Sequence, residues 1–236
     1  MINILEINKK VLARLCELNS EKDGGNSDEK LIFPSKFQAD RKKEIIRYSE
    51  QELRFLFVEE FKIKYPSLYY SIETPTSGKF NLSKKYETIK IEDEGQSASH
   101  DMCIYEKVSN KYERKLNIEF KYKNSGIMNT GKDILKLIRE EQDGAFIHLL
   151  KNTNSGTLIS VFKKLAQCFA DFTPVWKNED KFIEITIMSL EQKKIIQCRL
   201  KKKDLINLDS FFFVPNKMGN INTFKNLNWK IIELEK

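Results

Sequence analysis

The chain has 236 residues, a net charge of +7 and a pI of about 9.0. That length suits one large domain or one domain with an appendage, and the basic charge suits a polyanionic partner such as nucleic acid. No apolar run is long enough to span a membrane and the N-terminus lacks an apolar signal segment, so we expect a cytoplasmic protein with no membrane association.

Cysteine and histidine usage argues against a disulfide framework and against a zinc site. The two histidines are too few for most zinc-hydrolase sites. The four cysteines are widely spaced, form no C-x-x-C pair and are expected to be reduced thiols in the core: Cys16, Cys103, Cys168 and Cys198.

The N-terminal segment predicts a helix followed by a linker. Apolar residues recur at helical spacing over residues 2–18, whereas residues 19–30 are polar and contain Gly24-Gly25. We therefore divide the chain into an N-terminal helix with a flexible linker (residues 1–39) and a main domain (residues 40–236). The main domain has a core at residues 45–150 and a C-terminal extension at residues 151–236.

The main domain is predicted to open with a long helix from Asp40 to Tyr65, ended by Pro66. Leu68 to Thr74 predicts a first strand. Residues 75–94 are polar and irregular, and predict a long connection near the entrance of a site.

The most informative stretch is residues 117–122, in which Ile118, Phe120 and Tyr122 alternate with polar residues. A period of two predicts a strand with one apolar and one polar face. Glu119 and Lys121 therefore point the same way, about 7 Å apart along the strand.

A second strand is predicted over residues 97–105, with Asp101 near its start. The polar turn from Lys107 to Lys111 follows it. Two antiparallel strands joined by this turn would bring Asp101 beside Glu119, with the two carboxylates close enough to share a metal ion.

A helix is predicted from Asp133 to Gln142, after a loop bracketed by Gly126 and Gly131. Lys132 and Lys136 lie one turn apart on it, and contact either a phosphate backbone or only solvent. Ala145 to Leu150 predicts a buried strand, and we interpret its His148 as a hydrogen-bonded core residue.

The C-terminal extension predicts a helix at residues 157–172 and a hairpin of two strands, residues 182–188 and 194–200. Residues 211–214 predict a short strand or a buried anchor. The tail with Trp229, Ile231, Ile232 and Leu234 predicts one more packed element.

An Asp at a strand start followed by Glu-x-Lys on the next strand resembles the PD-(D/E)xK nuclease superfamily. The predicted order through residue 150 is helix, three strands, helix, strand. That order is similar to the restriction-endonuclease-like αβββαβ core of this family, an α/β fold with a mixed central sheet flanked by helices, to which this chain adds C-terminal strands. His100 stands where the family has its Pro.

The resemblance implies an Mg²⁺-dependent phosphodiesterase, in which Mn²⁺ can substitute. It assigns the metal to Asp101, Glu119 and the backbone carbonyl of Phe120, and assigns to Lys121 the orientation or activation of the attacking water. In this family a Glu from the helix before the first strand often joins the metal site. Glu50 borders the apolar face of that helix more closely than Glu52 and is our choice, with Glu52 or neither as alternatives.

We therefore expect an endodeoxyribonuclease of restriction or anti-phage defence type, which contacts nucleic acid through Lys123, Lys132 and Lys136. DNA is preferred over RNA as the partner, and either a homodimer or a partner subunit would supply target recognition. The alternatives are an RNase or structure-specific nuclease of the same fold, and a non-catalytic nucleic-acid-binding or assembly subunit.

Overall fold

A computed structural model describes residues 2–20, 30–39, 42–212, 226 and 228–234 of the chain. Its helices are α1 (Ile4–Ser20), α2 (Glu50–Lys64), α3 (Ile127–Arg139), α4 (Ser155–Phe172) and the short α5 (Leu208–Phe211). Short 3₁₀ segments lie at Tyr86–Thr88, Thr173–Val175 and Lys202–Asn207. None of the described helices is long and apolar enough to cross a membrane.

The strands form a small hairpin and one large sheet. The hairpin pairs β1 (Ser35–Gln38) with β2 (Lys43–Ile46). The sheet contains β3 (Tyr69–Asn81), β4 (Lys90–Ile91), β5 (Gln96–Val108), β6 (Lys111–Tyr122), β7 (Asp143–Leu150), β8 (Ile183–Ser189), β9 (Lys194–Leu200) and β10 (Lys230–Glu233).

The eight strands of the large sheet lie in the order β10-β9-β8-β7-β6-β5-β3-β4. The central strands β6, β7 and β8 run parallel, and α3 and α4 provide the two connections between them. The pairs on either side are antiparallel. The predicted α/β class, with a mixed sheet flanked by helices and with C-terminal strands, is confirmed.

Helices cover both faces of the sheet. One apolar cluster joins α1 and α2 to β6 and β7, as in the edge-to-face contact of Phe57 with Phe120, whose ring centroids are 5.2 Å apart. The other cluster packs α3 and α4 against β7 and β8. Burial on both faces explains why β7 reads as a continuous apolar run. The four cysteines are buried and unbridged, as expected.

The N-terminal helix is part of this core. Arg14 of α1 forms ion pairs with Glu59 and Glu60 of α2, at 2.7 and 3.1 Å. Buried Asn8 donates to Thr186 of β8. The predicted linker falls largely on residues 21–29, which lie outside the described residues.

The predicted helix over residues 40–65 is wrong in its first part. Residues 43–46 are strand β2, and α2 begins only at Glu50, while Asp40 and Arg41 lie outside the described residues. Ser49 caps the N-terminus of α2 in a capping box with Glu52, so α2 begins there and no single helix spans residues 40–65.

The predicted connection over residues 75–94 is also shorter in the structure. Strand β3 continues to Asn81 with a register shift between Pro75 and Lys79. Thr74, Thr76 and Phe80 are its buried positions in this half. Two of them are threonines, so the alternation is weak in hydropathy.

The β5–β6 hairpin and the helix after it follow the prediction more closely. Ser109 and Asn110 both have positive φ, 46° and 67°, as in a type I′ turn. Helix α3, however, starts at Ile127 with Gly126 as its N-cap and ends at Arg139, so Gly131 lies inside it.

The C-terminal tail packs as predicted, since Trp229 is buried and stacks on Phe162 of α4 with centroids 4.7 Å apart. Residues 208–211 are helical, Phe212 is buried, and residues 213–214 of the predicted anchor lie outside the described residues.

Candidate active site

The candidate site lies where β5 and β6 separate. Their pairing ends at Met102–Ile118; β5 then continues along β3 and β6 continues along β7. The gap that opens is lined by Glu50, Asp101, Phe120 and Lys121, and we call it the notch. Strand divergence thus exposes backbone groups of β6 that a neighbouring strand would otherwise pair.

Two carboxylates take the place of the missing strand. Asp101 Oδ2 accepts the backbone N–H of Phe120 at 2.7 Å, and Glu50 Oε2 accepts that of Tyr122 at 3.2 Å. The N–H and C=O of one strand residue point to the same side. The Phe120 carbonyl therefore also points toward the notch.

Glu50, and not Glu52, reaches this site. The Glu52 carboxylate accepts the Ser49 backbone N–H at 2.9 Å as part of the capping box. Glu50 lies one turn before Arg54 on α2, so both side chains project toward the notch.

Asp101 is held from the α2 side. Its Oδ1 accepts a hydrogen bond from Arg54 at 2.5 Å, and the other guanidinium nitrogen of Arg54 reaches Glu73 at 2.7 Å. Because its second oxygen binds the Phe120 N–H, which lies in the plane of the sheet, the Asp101 carboxylate sits between the two strands.

Glu119 and Lys121 share the face of the sheet that α3 covers, as predicted from their spacing. Glu119 is 0% exposed, and its carboxylate binds Lys136 at 2.7 Å and His100 Nδ1 at 2.6 Å. Asp101 and Glu119 lie on adjacent strands, and each carboxylate is engaged by a different helix: Asp101 by Arg54 of α2 and Glu119 by Lys136 of α3.

Lys136 is also placed differently from both interpretations. It is only 6% exposed and donates to Glu119 and to the Ser99 carbonyl, at 2.7 and 2.8 Å. Its ammonium is a buried counter-ion, so Lys136 neither lies on a solvated helix face nor points outward to a phosphate.

Asp133 is a residue of the site that sequence reasoning missed. Its carboxylate lies 2.6 Å from the Lys121 ammonium and 3.3 Å from that of Lys136, and Lys121 is 3.9 Å from Glu50. The signal was present, because Asp133 and Lys136 are three residues apart on one helix face. The predicted helix begins at Asp133, whereas in the structure Asp133 lies in the middle of α3.

Burial and charge set the protonation of these groups. Burial raises the pKa of Asp101 and Glu50, and raises the pKa of Glu119 well above its usual range against the opposing effect of Lys136. Burial is the largest single influence and would lower the pKa of Lys121, but the carboxylates of Asp133, Glu50 and Asp101 together outweigh it and the pKa is raised. Lys121 is therefore an ammonium in the metal-free protein.

Two of the lysines expected to bind nucleic acid remain near the surface. Lys123 is exposed and lies over the Tyr122 ring, 5.4 Å from its centroid, and Lys132 is half-buried on α3. His148 is buried, as predicted; its Nε2–H donates to the Lys123 carbonyl at 2.5 Å, and burial lowers its pKa to about 4.

The donors at the notch suit a hard cation by their chemistry, since carboxylate and carbonyl oxygens are the ligands of Mg²⁺. Among the described residues, however, no three acidic, histidine or cysteine side chains converge as a ready-made metal site. Basic side chains of the chain itself hold these carboxylates instead: Arg54 at Asp101, Lys136 at Glu119 and Lys121 at Asp133.

Comparisons with known proteins return no relative of this chain. No protein-family model matches it, and searches of curated proteins and of solved structures also find no match.

Proposed function

We propose that this protein is a metal-dependent nuclease that hydrolyses phosphodiester bonds, as the resemblance to the PD-(D/E)xK superfamily implies. One observation carries the proposal. The carboxylates of Asp101 and Glu50 and the backbone groups of Phe120 converge at a single strand divergence, with the Lys121 ammonium close to Glu50. The order α2, β3, β5, β6, α3, β7, with the two-residue strand β4 between β3 and β5, supports it further.

Each residue has a distinct task in this proposal. Bound Mg²⁺, with Mn²⁺ as a substitute, supplies charge neutralisation and lowers the pKa of a water. Asp101, Glu119 and the Phe120 carbonyl would hold the cation, with Glu50 beside them. Lys121, kept protonated by Asp133, hydrogen-bonds the attacking water or a phosphate oxygen and offsets its developing negative charge.

We propose DNA as the substrate and an endonuclease of restriction or anti-phage defence type as the role, with an RNase as the alternative. The basic charge of the chain, +7, supports a nucleic acid but does not distinguish the two. A non-catalytic nucleic-acid-binding subunit is the second candidate. Asp101 is paired with Arg54 and Glu119 with Lys136. These ion pairs favour the second candidate, because a site that never binds metal would have its carboxylate charges balanced in this way.

The test is cleavage of plasmid DNA and of RNA by the purified 236-residue chain, with Mg²⁺, with Mn²⁺ and with EDTA. We expect metal-dependent cleavage that falls at least about a hundredfold in Lys121→Ala, the loss typical of removing a charge-stabilising donor. Metal binding, measured by calorimetry, should remain in that variant because the lysine does not ligate the cation. Asp101→Asn should lose both metal binding and cleavage.

Lys62→Gln is the matched control, since this exposed lysine lies three turns along α2 from Glu50, about 18 Å by helical rise. It should cleave like the wild type. Nucleic-acid binding without cleavage under any metal condition would favour the non-catalytic subunit, and full activity in Asp101→Asn would refute the site.

A further inference from the structure

Arg54 occupies a central position that the proposed chemistry does not use. It is 8% exposed, on the face of α2 that also carries Glu50, and it bridges two carboxylates at 2.5 Å (Asp101) and 2.7 Å (Glu73). Its remaining nitrogen, Nε, is buried and has no hydrogen-bond partner among the described residues. Such an unpaired donor is costly, so this guanidinium is not fully satisfied where it lies.

The two carboxylates differ in their surroundings. The side chain of Asp101 is 16% exposed and that of Glu73 is 61% exposed. Glu73 lies opposite Asp101 in the β3–β5 register, between the pairs Ile72–Met102 and Thr74–His100. Its φ of 50° is left-handed, which is unfavourable for a residue with a Cβ and is the kind of strain that gathers at functional sites.

A guanidinium and a divalent cation that approach the same carboxylate oxygen repel each other, so each weakens the binding of the other. The Asp101 oxygen that does not bind the Phe120 N–H is the one that Arg54 holds. A cation that binds there favours movement of Arg54 away from Asp101, and Glu73 offers the guanidinium a second anionic partner that it already touches.

We propose that Arg54 is an internal counter-ion that competes with a divalent cation for Asp101, and that Glu73 retains Arg54 when the cation is bound. The inference rests on the proposed function in one respect, since it takes Asp101 to be a metal ligand. It gives the site a built-in threshold for metal: the carboxylate is neutralised by Arg54 at low cation concentration and by the cation at high concentration. It also accounts for the absence of an open acidic cluster among the described residues.

The test is calorimetric titration of Mn²⁺ into the 236-residue wild type and three variants, without nucleic acid. Arg54→Gln removes the competitor, so Mn²⁺ affinity should rise by about tenfold, the equivalent of one charge-assisted hydrogen bond. Glu73→Gln removes the alternative partner, so Arg54 should hold Asp101 more firmly and affinity should fall several-fold. Lys62→Gln controls for the loss of one positive charge on α2 and should bind as the wild type does.

Glu73 is exposed, so Glu73→Gln keeps the test decisive even if Arg54→Gln does not fold. Equal Mn²⁺ affinity in the wild type and in the variants that fold would overturn the inference and leave the nuclease proposal standing if the wild type binds metal and cleaves. Tighter binding in Arg54→Gln without cleavage by any variant would support the inference and contradict the nuclease. Absence of Mn²⁺ binding in all the proteins would overturn both.

Discussion

At the scale of single residues, the site is a series of alternating charges on side chains from α2, β6 and α3. Glu50, Lys121, Asp133, Lys136 and Glu119 follow one another at separations of 3.9, 2.6, 3.3 and 2.7 Å. A charge removed from water in this way is tolerated because each neighbour compensates it. The arrangement therefore has consequences for stability that are separate from any catalytic role.

Lys136 is where that consequence should be largest. Lys136→Ala leaves the fully buried Glu119 without its cationic partner, and we expect a loss of about 3–5 kcal/mol in the free energy of unfolding. Lys132→Ala, one turn away on α3 and more exposed, should change it by less than about 0.5 kcal/mol. Urea denaturation of both variants measures the difference, and equal stabilities would contradict the role assigned to Lys136.

The sequence contained part of this site but not its orientation. The period of two in β6 was sufficient to put Glu119 and Lys121 on one face. The direction of Asp101 was not predictable, because it depends on where β5 leaves β6 to follow β3. The pairing of Glu119 with His100 and Lys136 depends in turn on how α3 packs over that face.

At the scale of elements, local signals located helices better than periodicity did. Isoleucines at residues 45 and 46 fit a helical spacing and so predict a helix there, yet the capping box of Ser49 and Glu52 marks the true start of α2. The predicted first strand stops at Thr74 because beyond that point β3 has only two buried positions, Thr76 and Phe80, which do not give a visible apolar alternation. Hydropathy underestimates a strand whose buried positions are small and polar.

Helix α3 positions Asp133 and Lys136. Its contact with the 3₁₀ segment Tyr86–Thr88 is possible because Gly131 has no side chain. A Cβ there would lie 2.6 Å from a ring carbon of Tyr86. The ring cannot yield easily, since Tyr86 packs against Phe172 and its hydroxyl donates to Asp171 at 2.8 Å.

Gly131→Ala should therefore destabilise the protein by roughly 1 kcal/mol, because overpacking of about 1–3 kcal/mol exceeds the better helix propensity of Ala. Gly156→Ala in the first turn of α4 is the control, since its Cβ would meet nothing closer than 3.7 Å, and it should be neutral or stabilising. Thermal unfolding of the two variants is the measurement. Adding Tyr86→Ala should remove the cost of Gly131→Ala, and a cost that persists would locate the strain elsewhere.

At the scale of the whole molecule, the class of fold was predictable because the central strands are buried on both faces and alternate with amphipathic helices. The notch was not, since it arises from three separate facts of topology. β5 pairs with β3, β6 pairs with β7, and α2 and α3 approach the gap from opposite faces of the sheet. Those pairings join residues far apart in sequence, and no local pattern encodes them.

The net charge of +7 leads to the last prediction, which concerns binding to duplex DNA in EDTA, where metal-dependent cleavage is prevented. Lysine contacts to phosphates release counterions, so we expect the affinity to fall steeply and linearly on a logarithmic scale of salt concentration. Lys123→Gln and Lys132→Gln should each reduce that slope by about one. Lys62→Gln carries the same charge change away from the notch and should leave it unaltered, which separates local phosphate contacts from overall charge. Fluorescence anisotropy across a salt series measures the slope. Salt-insensitive binding, or equal slopes in all three variants, would remove these two lysines from the interface and favour a protein partner over nucleic acid.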